Sequence, residues 1–319
     1  MMERVFDSIV QFGGKWEQEV CLAVGMFDGV HRGHRSVLDL ALEQASSFSG
    51  SGVALTFPHH PASFLRPGKE PPLLMSAMDK AESLLSAGMD AVILQPFDQL
   101  LSSLEAEQFL PFLREHIPSL KAITVGENFR FGKNRKGNSA MLEEMGLGYG
   151  LKVKVAPSLA LDDSPVSSSR IRHALSEGDI KEVNQMLGKP YLVSGQVISG
   201  KALGRTLGFA TLNLQWSPQA RPAFGVYSGL VKERTTGVQL PAVANYGIRP
   251  TVEQKVEVPL WEIHCLEQPD VCIWQEGAHL EMEVSSFLRP EMKFENVDEL
   301  SAQIRKDCAE AIRLFPQLL

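Results

Sequence analysis

The stretch VCLAVGMFDGVHRGH, Val20 to His34, constrains the fold more than any other part of the chain. Its opening run, Val20 to Val24, is uniformly apolar and reads as a short buried strand. Gly25 breaks the run and Phe27-Asp28-Gly29 turns the chain. His31-x-Gly33-His34 then leads into apolar residues at Val37, Leu38, Ala41, Leu42 and Ala45, which is helical spacing. Two histidines three residues apart therefore stand where a strand hands over to a helix N-terminus. That junction offers unpaired backbone N–H groups and the positive end of the helix dipole, and both favour an anion. Gly25 and Gly29 let phosphate oxygens approach the main chain, and the imidazoles add donors. The predicted chemistry is stabilisation of charge on a transferring phosphoryl group, without a covalent nucleophile. A zinc site fits poorly, because Cys21 belongs to the strand and no third histidine lies nearby at ligand spacing.

The same strand–helix alternation continues through the first half. Gly52–Phe57, Ala91–Gln95, Lys121–Gly126 and Lys152–Ala156 read as strands. Helical patterns lie near Lys80–Ala87 and Leu104–Leu113. Such βα alternation predicts an α/β domain with a doubly wound, Rossmann-like parallel sheet and ligands at the carboxyl ends of its strands. Candidate binding segments fall at those ends: Thr56 to Pro61 (TFPHHP) and Gly126 to Asn138 (GENFRFGKNRKGN). The second, bounded by glycines and carrying Arg130, Lys133, Arg135 and Lys136, suits a flexible cover over polyphosphate. At Val166 to Arg172 (VSSSRIR), Ser167, Ser168 and Ser169 open a helix with hydroxyl and backbone donors. Arg172 adds a guanidinium, completing a predicted triphosphate clamp.

Past Gly188-Lys189-Pro190 the texture changes to β-branched or alternating runs separated by Gly and Pro: Tyr191–Ser199, Gly225–Val231, Leu240–Tyr246, Leu260–Leu266 and His279–Leu288. These predict an antiparallel β-barrel. A terminal helix is expected from about Val297 to Phe315, with Leu300, Ile304, Cys308 and Ile312 on one face and an Asn296/Glu299 capping box. The boundary is placed so that residues 1–188 and 189–319 form the two domains; 319 residues suffice for two cores. Within the barrel, Gly200, Gly204 and Gly208 permit backbone close to phosphates. Thr211 and Asn213, two residues apart on an extended segment, point to one side and offer hard oxygen ligands suited to Mg²⁺.

Net charge is −7 with no long basic block, which argues against broad nucleic-acid binding. No apolar run reaches the roughly 18–20 residues of a membrane span, and the N-terminus MMERVFDSIVQF has no cleavable apolar core. Four cysteines without a C-x-x-C pair fit free thiols in a reducing cytoplasm.

G-x-F-D-G-x-H-x-G-H resembles the N-terminal signature of the bifunctional riboflavin kinase/FMN adenylyltransferases, the prokaryotic FAD synthetases. Further matches follow in family order. TFPHHP resembles T-F-x-P-H-P, GENFRFG resembles G-x-D-F-R-F-G with Asn128 for Asp, and VSSSRIR resembles I-S-S-T-x-x-R. GRTLGFATLNL resembles G-R-x-L-G-F-P-T-A-N-L, with Ala210 and Leu212 replacing the motif's proline and alanine. Asn245 to Thr251, Trp261 to His264 and Phe287 to Phe294 complete the series, although EQPDVCIWQEG departs from the family's turn after Glu262.

The resemblance implies an enzyme that phosphorylates riboflavin to FMN and then transfers AMP from ATP to FMN, giving FAD and pyrophosphate. Small-molecule substrates (riboflavin, FMN, ATP), ATP as co-substrate and Mg²⁺ follow from it. His31, His34 and Glu262 are implied as catalytic. Gly25, Phe27, Asp28, Gly29, Gly126, Asn128, Arg130, Ser167, Ser168, Ser169 and Arg172 are implied at the ATP phosphates of the transferase, as are Gly200, Gly204, Arg205 and Gly208 in the kinase. His60, Asn245, Arg249 and Arg289 are implied at flavin, the last alternatively tying the final helix, with Thr211 and Asn213 at the metal. Two rivals stand beside this reading: a transferase with a silent kinase half, and a non-catalytic flavin or nucleotide sensor.

Overall fold

The computed structural model describes residues 4–199, 209–216, 219–248, 259–266 and 276–314. The chain divides into two compact units, Met1–Ser168 and Ser169–Leu319.

The first unit opens with β1 (Val5–Phe6), α1 (Ile9–Gly13), β2 (Val20–Val24), α2 (Arg32–Ser47) and β3 (Ser51–Thr56). It continues through α3 (Pro61–Leu65), α4 (Ala77–Ser86), β4 (Ala91–Leu94), α5 (Gln99–Ser103), α6 (Phe109–His116) and β5 (Leu120–Gly126). A hairpin of β6 (Arg130–Phe131) and β7 (Gly137–Asn138) precedes α7 (Ser139–Gly148) and β8 (Lys152–Ala156). The short pair β9 (Ala160–Leu161) and β10 (Ser164–Pro165) closes the unit.

Six strands form one parallel sheet in the order β1-β4-β3-β2-β5-β8. Every residue of β2 and β3 is buried, which explains why these strands read as continuous rather than alternating runs. Their side chains still alternate between faces. Val20, Leu22 and Val24 join a core with Phe12, Leu110 and Leu142, whereas Ala23 and Ala54 join Leu38, Ala41 and Leu84. Two cores flank one sheet, the doubly wound arrangement expected from the sequence. From β2 the chain moves outward through β3 and β4, then β5 returns to the other side of β2. The topological switch point thus lies between β2 and β5, at the strand ends from which the FDG–HxGH loop emerges.

β1 and α1 were not expected, because two-residue strands and one-turn helices show no period. They are held by packing: Phe6, Phe12 and Trp16 form an aromatic cluster with ring centroids 5.1–6.0 Å apart. The helix expected over Leu104–Leu113 is split. Asp98 caps α5 upstream, and Gln108 Oε1 accepts from Glu105 N at 3.2 Å, restarting the helical path that becomes α6.

In the second unit, α8 (Ser168–Glu177) begins at the division and is followed by α9 (Ile180–Leu187), which ends on Gly188 at φ 74°. β11 (Tyr191–Ile198), β12 (Leu212–Gln215), β13 (Gly225–Glu233), β14 (Gln239–Ile248), β15 (Pro259–Cys265) and β16 (His279–Pro290) then close an antiparallel barrel. Its order is β11-β12-β15-β14-β13-β16. The interior is filled by large side chains. Tyr227, Tyr246 and Trp261 are fully buried, with the last two stacked at 5.0 Å.

The terminal helix α10 (Val297–Leu314) forms half of the expected capping box: Glu299 N donates to Asn296 Oδ1 (2.9 Å), while the Glu299 carboxylate accepts from Asn296 Nδ2 (3.0 Å) and Glu295 N (3.2 Å). Its buried face differs. Asp307 and Ala311 are the buried residues, while Ile312 is 56% exposed. A residue every four positions drifts about 40° per step on a helix of 3.6 residues per turn. By Ile312 the expected stripe has rotated away, and Ala311 takes its place beside Val226 and Val243.

Candidate active sites

In the first unit, the residues between β2 and α2 make a wired loop. Gly25 leaves room for the Phe27 ring, which would lie 2.9 Å from a methyl group at that position. Phe27 (φ 49°) and Val30 (φ 40°) both adopt left-handed backbone, an uncommon and strained state for a β-branched residue. The surrounding structure holds them there. Met26 O accepts from Thr56 Oγ1 (2.8 Å) and Lys80 Nζ (3.2 Å), Asp28 Oδ1 from Leu74 N (2.9 Å), and Asp28 O from Ser168 Oγ (2.8 Å).

His31 caps α2. Its Nδ1 accepts from His34 N at 3.2 Å, so the ring proton of the neutral imidazole resides on Nε2. The two imidazoles stack, with centroids 3.6 Å apart and planes 15° from parallel, and Phe27 meets His34 edge-on at 5.4 Å. His34 titrates well below its ordinary 6.5, first through burial, then through His31 and Lys80. At neutral pH it is an uncharged imidazole, able to donate a hydrogen bond without repelling its neighbour. Gly33 is fitted to this stack: a methyl there would stand 3.3 Å from the His31 ring and 3.4 Å from Val166 O.

The other expected residues of this unit divide into those at the loop's surface and those beneath it. Phe27 and Asp28 are 1% exposed and brace the loop from below. Gly126 ends β5 and Asn128 is exposed in the following turn. The basic loop is more committed than its composition implies. Lys133 and Lys136 pair with Glu105 at 3.2 and 3.4 Å, Arg130 Nη1 donates to Phe129 O at 2.8 Å, and Phe129 and Phe131 stack at 5.7 Å. His60 caps α3, its Nδ1 accepting from Ala62 N at 3.1 Å. Ser167 and Ser168 are half-buried where this unit ends; Ser169, exposed, and Arg172, half-buried, belong to the second unit.

In the second unit the expected residues fall on one rung. Asn213 on β12 pairs with Glu262 on β15, Glu262 with Asn245 on β14, Asn245 with Val226 on β13, and Val226 with Arg289 on β16. Directly paired residues share a face. The next rung, Leu214–Trp261–Tyr246, fills the interior, so Asn213, Glu262 and Asn245 line the outside of the barrel. Thr211, half-buried ahead of β12, lies two residues from Asn213. His264 Nδ1 lies 2.9 Å from Ala210 O, holding the start of this segment against β15. Asn213 is 5% exposed, and its Oδ1 is buried without a hydrogen-bond partner among the described residues. A buried amide oxygen left open is costly, and it suits a hard cation.

Arg289 is spent elsewhere. Its Nε and Nη2 grip both oxygens of Asp307 on α10 at 2.7–3.1 Å, and its Nη1 donates to Pro290 O at 3.0 Å. Gly200, Gly204, Arg205, Gly208 and Arg249 lie outside the described residues.

The FAD synthetase family model matches residues 14–170 and the riboflavin kinase model residues 187–315. Curated relatives called bifunctional riboflavin kinase/FMN adenylyltransferase match almost end to end. The Haemophilus influenzae protein is 34% identical over 93% of this chain and 95% of its own. The chain belongs to the bifunctional riboflavin kinase/FMN adenylyltransferases. Other relatives with that description include the Escherichia coli K12 protein, 34% identical over 93% of this chain and 94% of its own, and the Bacillus subtilis protein, 33% identical over 93% of each. A crystal structure described as a macrolide-efflux protein from Streptococcus pneumoniae is similar with a TM-score of 0.79 and 26% identity, covering 91% of this chain and 92% of that one. No helix among the described residues is long and apolar enough to cross a membrane.

Sequence reasoning missed Lys80, and it placed Thr56 in a candidate binding segment without its bond to Met26. Both donate to the carbonyl of Met26 under the histidine loop. The signal was present for one of them: Lys80 occupies the apolar face of α4 with Ala81 and Leu84, where a solvated lysine has no place.

Proposed function

We propose that the barrel unit phosphorylates riboflavin to FMN and that the parallel-sheet unit transfers AMP from ATP to FMN, giving FAD and pyrophosphate. The observation that carries the second step is the stacked pair His31 and His34 at a helix N-terminus on the sheet's switch point, with His34 kept uncharged by burial. In this reading an FMN phosphate oxygen attacks the α-phosphorus of ATP in line, and pyrophosphate departs. The His31 Nε2–H and the His34 imidazole stabilise charge gathering on the α-phosphate, as preorganised donors that need no reorientation. Gly25, Gly29 and Gly126 admit phosphate oxygens to the backbone. Ser167 clamps the triphosphate, with Asn128 and Arg130 beside it, while Phe27, Asp28 and Ser168 keep the loop in shape. His60 shapes the flavin side through its helix cap.

For the kinase, Glu262 accepts the proton of the riboflavin 5′-hydroxyl as that oxygen attacks the γ-phosphorus of ATP. Asn245 on the same rung orients the flavin end with Arg249, and Gly200, Gly204, Arg205 and Gly208 cover the phosphates. Thr211 and Asn213 hold Mg²⁺, which fits the open amide oxygen of Asn213. When bound, Mg²⁺ neutralises phosphate charge. Arg289 acts through α10 rather than on ligand. The functional boundary is placed at Gly188, where left-handed backbone ends α9, and the protein works in the cytoplasm.

Incubating the full chain with riboflavin, ATP and Mg²⁺ and separating the flavins tests both steps. FMN followed by FAD is expected. FAD from supplied FMN, without FMN from riboflavin, would establish a silent kinase half. His34→Ala should cut adenylylation turnover by about 10²-fold or more while ATP binding changes little. Unchanged turnover rejects the assignment.

A further inference from the structure

Lys80 is 1% exposed, and lysines are almost never buried so completely without compensation. It stands on α4, inside the core that α4 shares with α2 and the sheet. Its ammonium donates to Phe57 O at 2.6 Å and to Met26 O at 3.2 Å. These carbonyls belong to different segments: Met26 to the FDG–HxGH loop after β2, Phe57 to the TFPHHP loop after β3. One side chain therefore fastens together the two strand-end loops that flank the candidate adenylyl-transfer site. It also sets a positive charge behind the stacked imidazoles.

We propose that Lys80 is a positioning residue for adenylyl transfer: it locks the histidine loop to the β3 loop and supplies a fixed buried positive charge behind the site where phosphate charge develops. This rests on the reading of His31 and His34 given above. The carbonyls of Met26 and Phe57 fix the ammonium, so it cannot swing out to bind substrate, and its effect reaches the phosphates through the loop and through its field. In a site of low dielectric, a buried charge behind the histidine loop acts with little screening.

The titratable groups facing it are Asp28 from the β2–α2 loop and His34 from α2; from the β3 loop it meets the Phe57 carbonyl. Burial lowers the Lys80 pKa to about 8, opposed by Asp28. Its charge in turn helps keep His34 neutral. As pH rises through that value the ammonium loses its proton, and the support it gives to phosphate charge is lost.

Two measurements on the full chain test this, with riboflavin phosphorylation on the same protein as the control for integrity. In the first, FMN adenylylation by the natural protein is followed from about pH 6.5 to about pH 9, below the range where phenol and surface lysine titration dominate. Turnover should fall through an ionisation near 8, while riboflavin phosphorylation shows no matching fall. Turnover that stays flat overturns the proposal.

In the second, Lys80→Met should lower adenylylation kcat by about 10- to 100-fold with KM for ATP and FMN within about threefold, and remove the alkaline limb. Thr56→Val, which deletes the other donor to Met26 O without touching the charge, should cost much less and keep the limb. Near-natural kcat in Lys80→Met, or Thr56→Val matching its loss, overturns the proposal. If Lys80→Met does not fold, the alkaline limb of the natural protein and its persistence in Thr56→Val decide the question. Should His34→Ala leave adenylylation intact, the underlying site assignment fails instead, whatever Lys80 does.

Discussion

The ion pair between Arg289 and Asp307 gives the sharpest test of how the barrel unit is held. The carboxylate is 6% exposed and the guanidinium 16%, with contacts of 2.7, 3.0 and 3.1 Å, and Gln303 Nε2 adds a fourth at 2.9 Å. Asp307→Ala leaves the buried guanidinium without its counter-charge. Removing one partner of a buried pair costs about 3–5 kcal/mol, because the survivor remains desolvated. For a unit of this size each kcal/mol moves Tm by about 2–4 °C, so melting should fall by roughly 6–20 °C. The double variant Arg289→Met with Asp307→Leu should recover most of that loss, since replacing both charges with apolar groups of similar volume is often neutral.

Thermal unfolding of the full chain, with riboflavin phosphorylation measured after heating, reads the barrel unit. Because the guanidinium is spent on Asp307, the double variant should also keep KM for riboflavin within about threefold. Asp307→Ala melting within about 2 °C of the natural protein would refute the stability reasoning. A double variant that folds but loses riboflavin affinity would return Arg289 to the ligand.

Gly33→Ala should separate stability from catalysis. Alanine favours a helix over glycine by about 1 kcal/mol, but its methyl stands 3.3 Å from the His31 ring. Melting unchanged or raised, with adenylylation down by about tenfold, is expected, and unaltered kinetics would show the stack to be yielding. Asn213→Ala should raise the Mg²⁺ concentration needed for half-maximal riboflavin phosphorylation and leave adenylylation as it was; an unchanged Mg²⁺ titration removes Asn213 from the metal. Glu233 closes the β13–β14 turn by accepting from Thr235 N (3.0 Å) and Thr236 N (2.6 Å), and these bonds pull its pKa down to about 2 from 4.5. Its contribution is therefore full above the ordinary carboxylate range and is lost as pH falls towards 2. Glu233→Gln should flatten the acid side of the stability curve, and an identical curve would contradict this.

Much of the local structure around both candidate sites could be read from the chain, for a physical reason that differs between them. The transferase loop is local: strand, turn and helix cap occupy fifteen consecutive residues, so Val20 to His34 shows its own geometry. The barrel rung is assembled from separate strands, and no spacing within one strand shows that Asn213 and Asn245 both pair with Glu262. Resemblance supplied those residues; register explains why they meet. What escaped sequence reading was tertiary. Lys80 and Thr56 act on backbone far along the chain, β1 and α1 exist only through the packing of Phe6 and Phe12, and Lys133 and Lys136 look free until Glu105 is brought beside them. Arg289 read either as a ligand contact or as a tie to the final helix, and its partner Asp307, in another element, could not be named from spacing.

The alternation along β15 ties chemistry to solidity. Glu262 lines the outside of the barrel and its neighbours Trp261 and Ile263 fill the interior, like adjacent teeth of one zip. Slipping that zip by a single tooth would bury the carboxylate and expel the indole together. Damage to the aromatic filling should therefore surface in the laboratory as a faulty kinase before it shows as a loose fold.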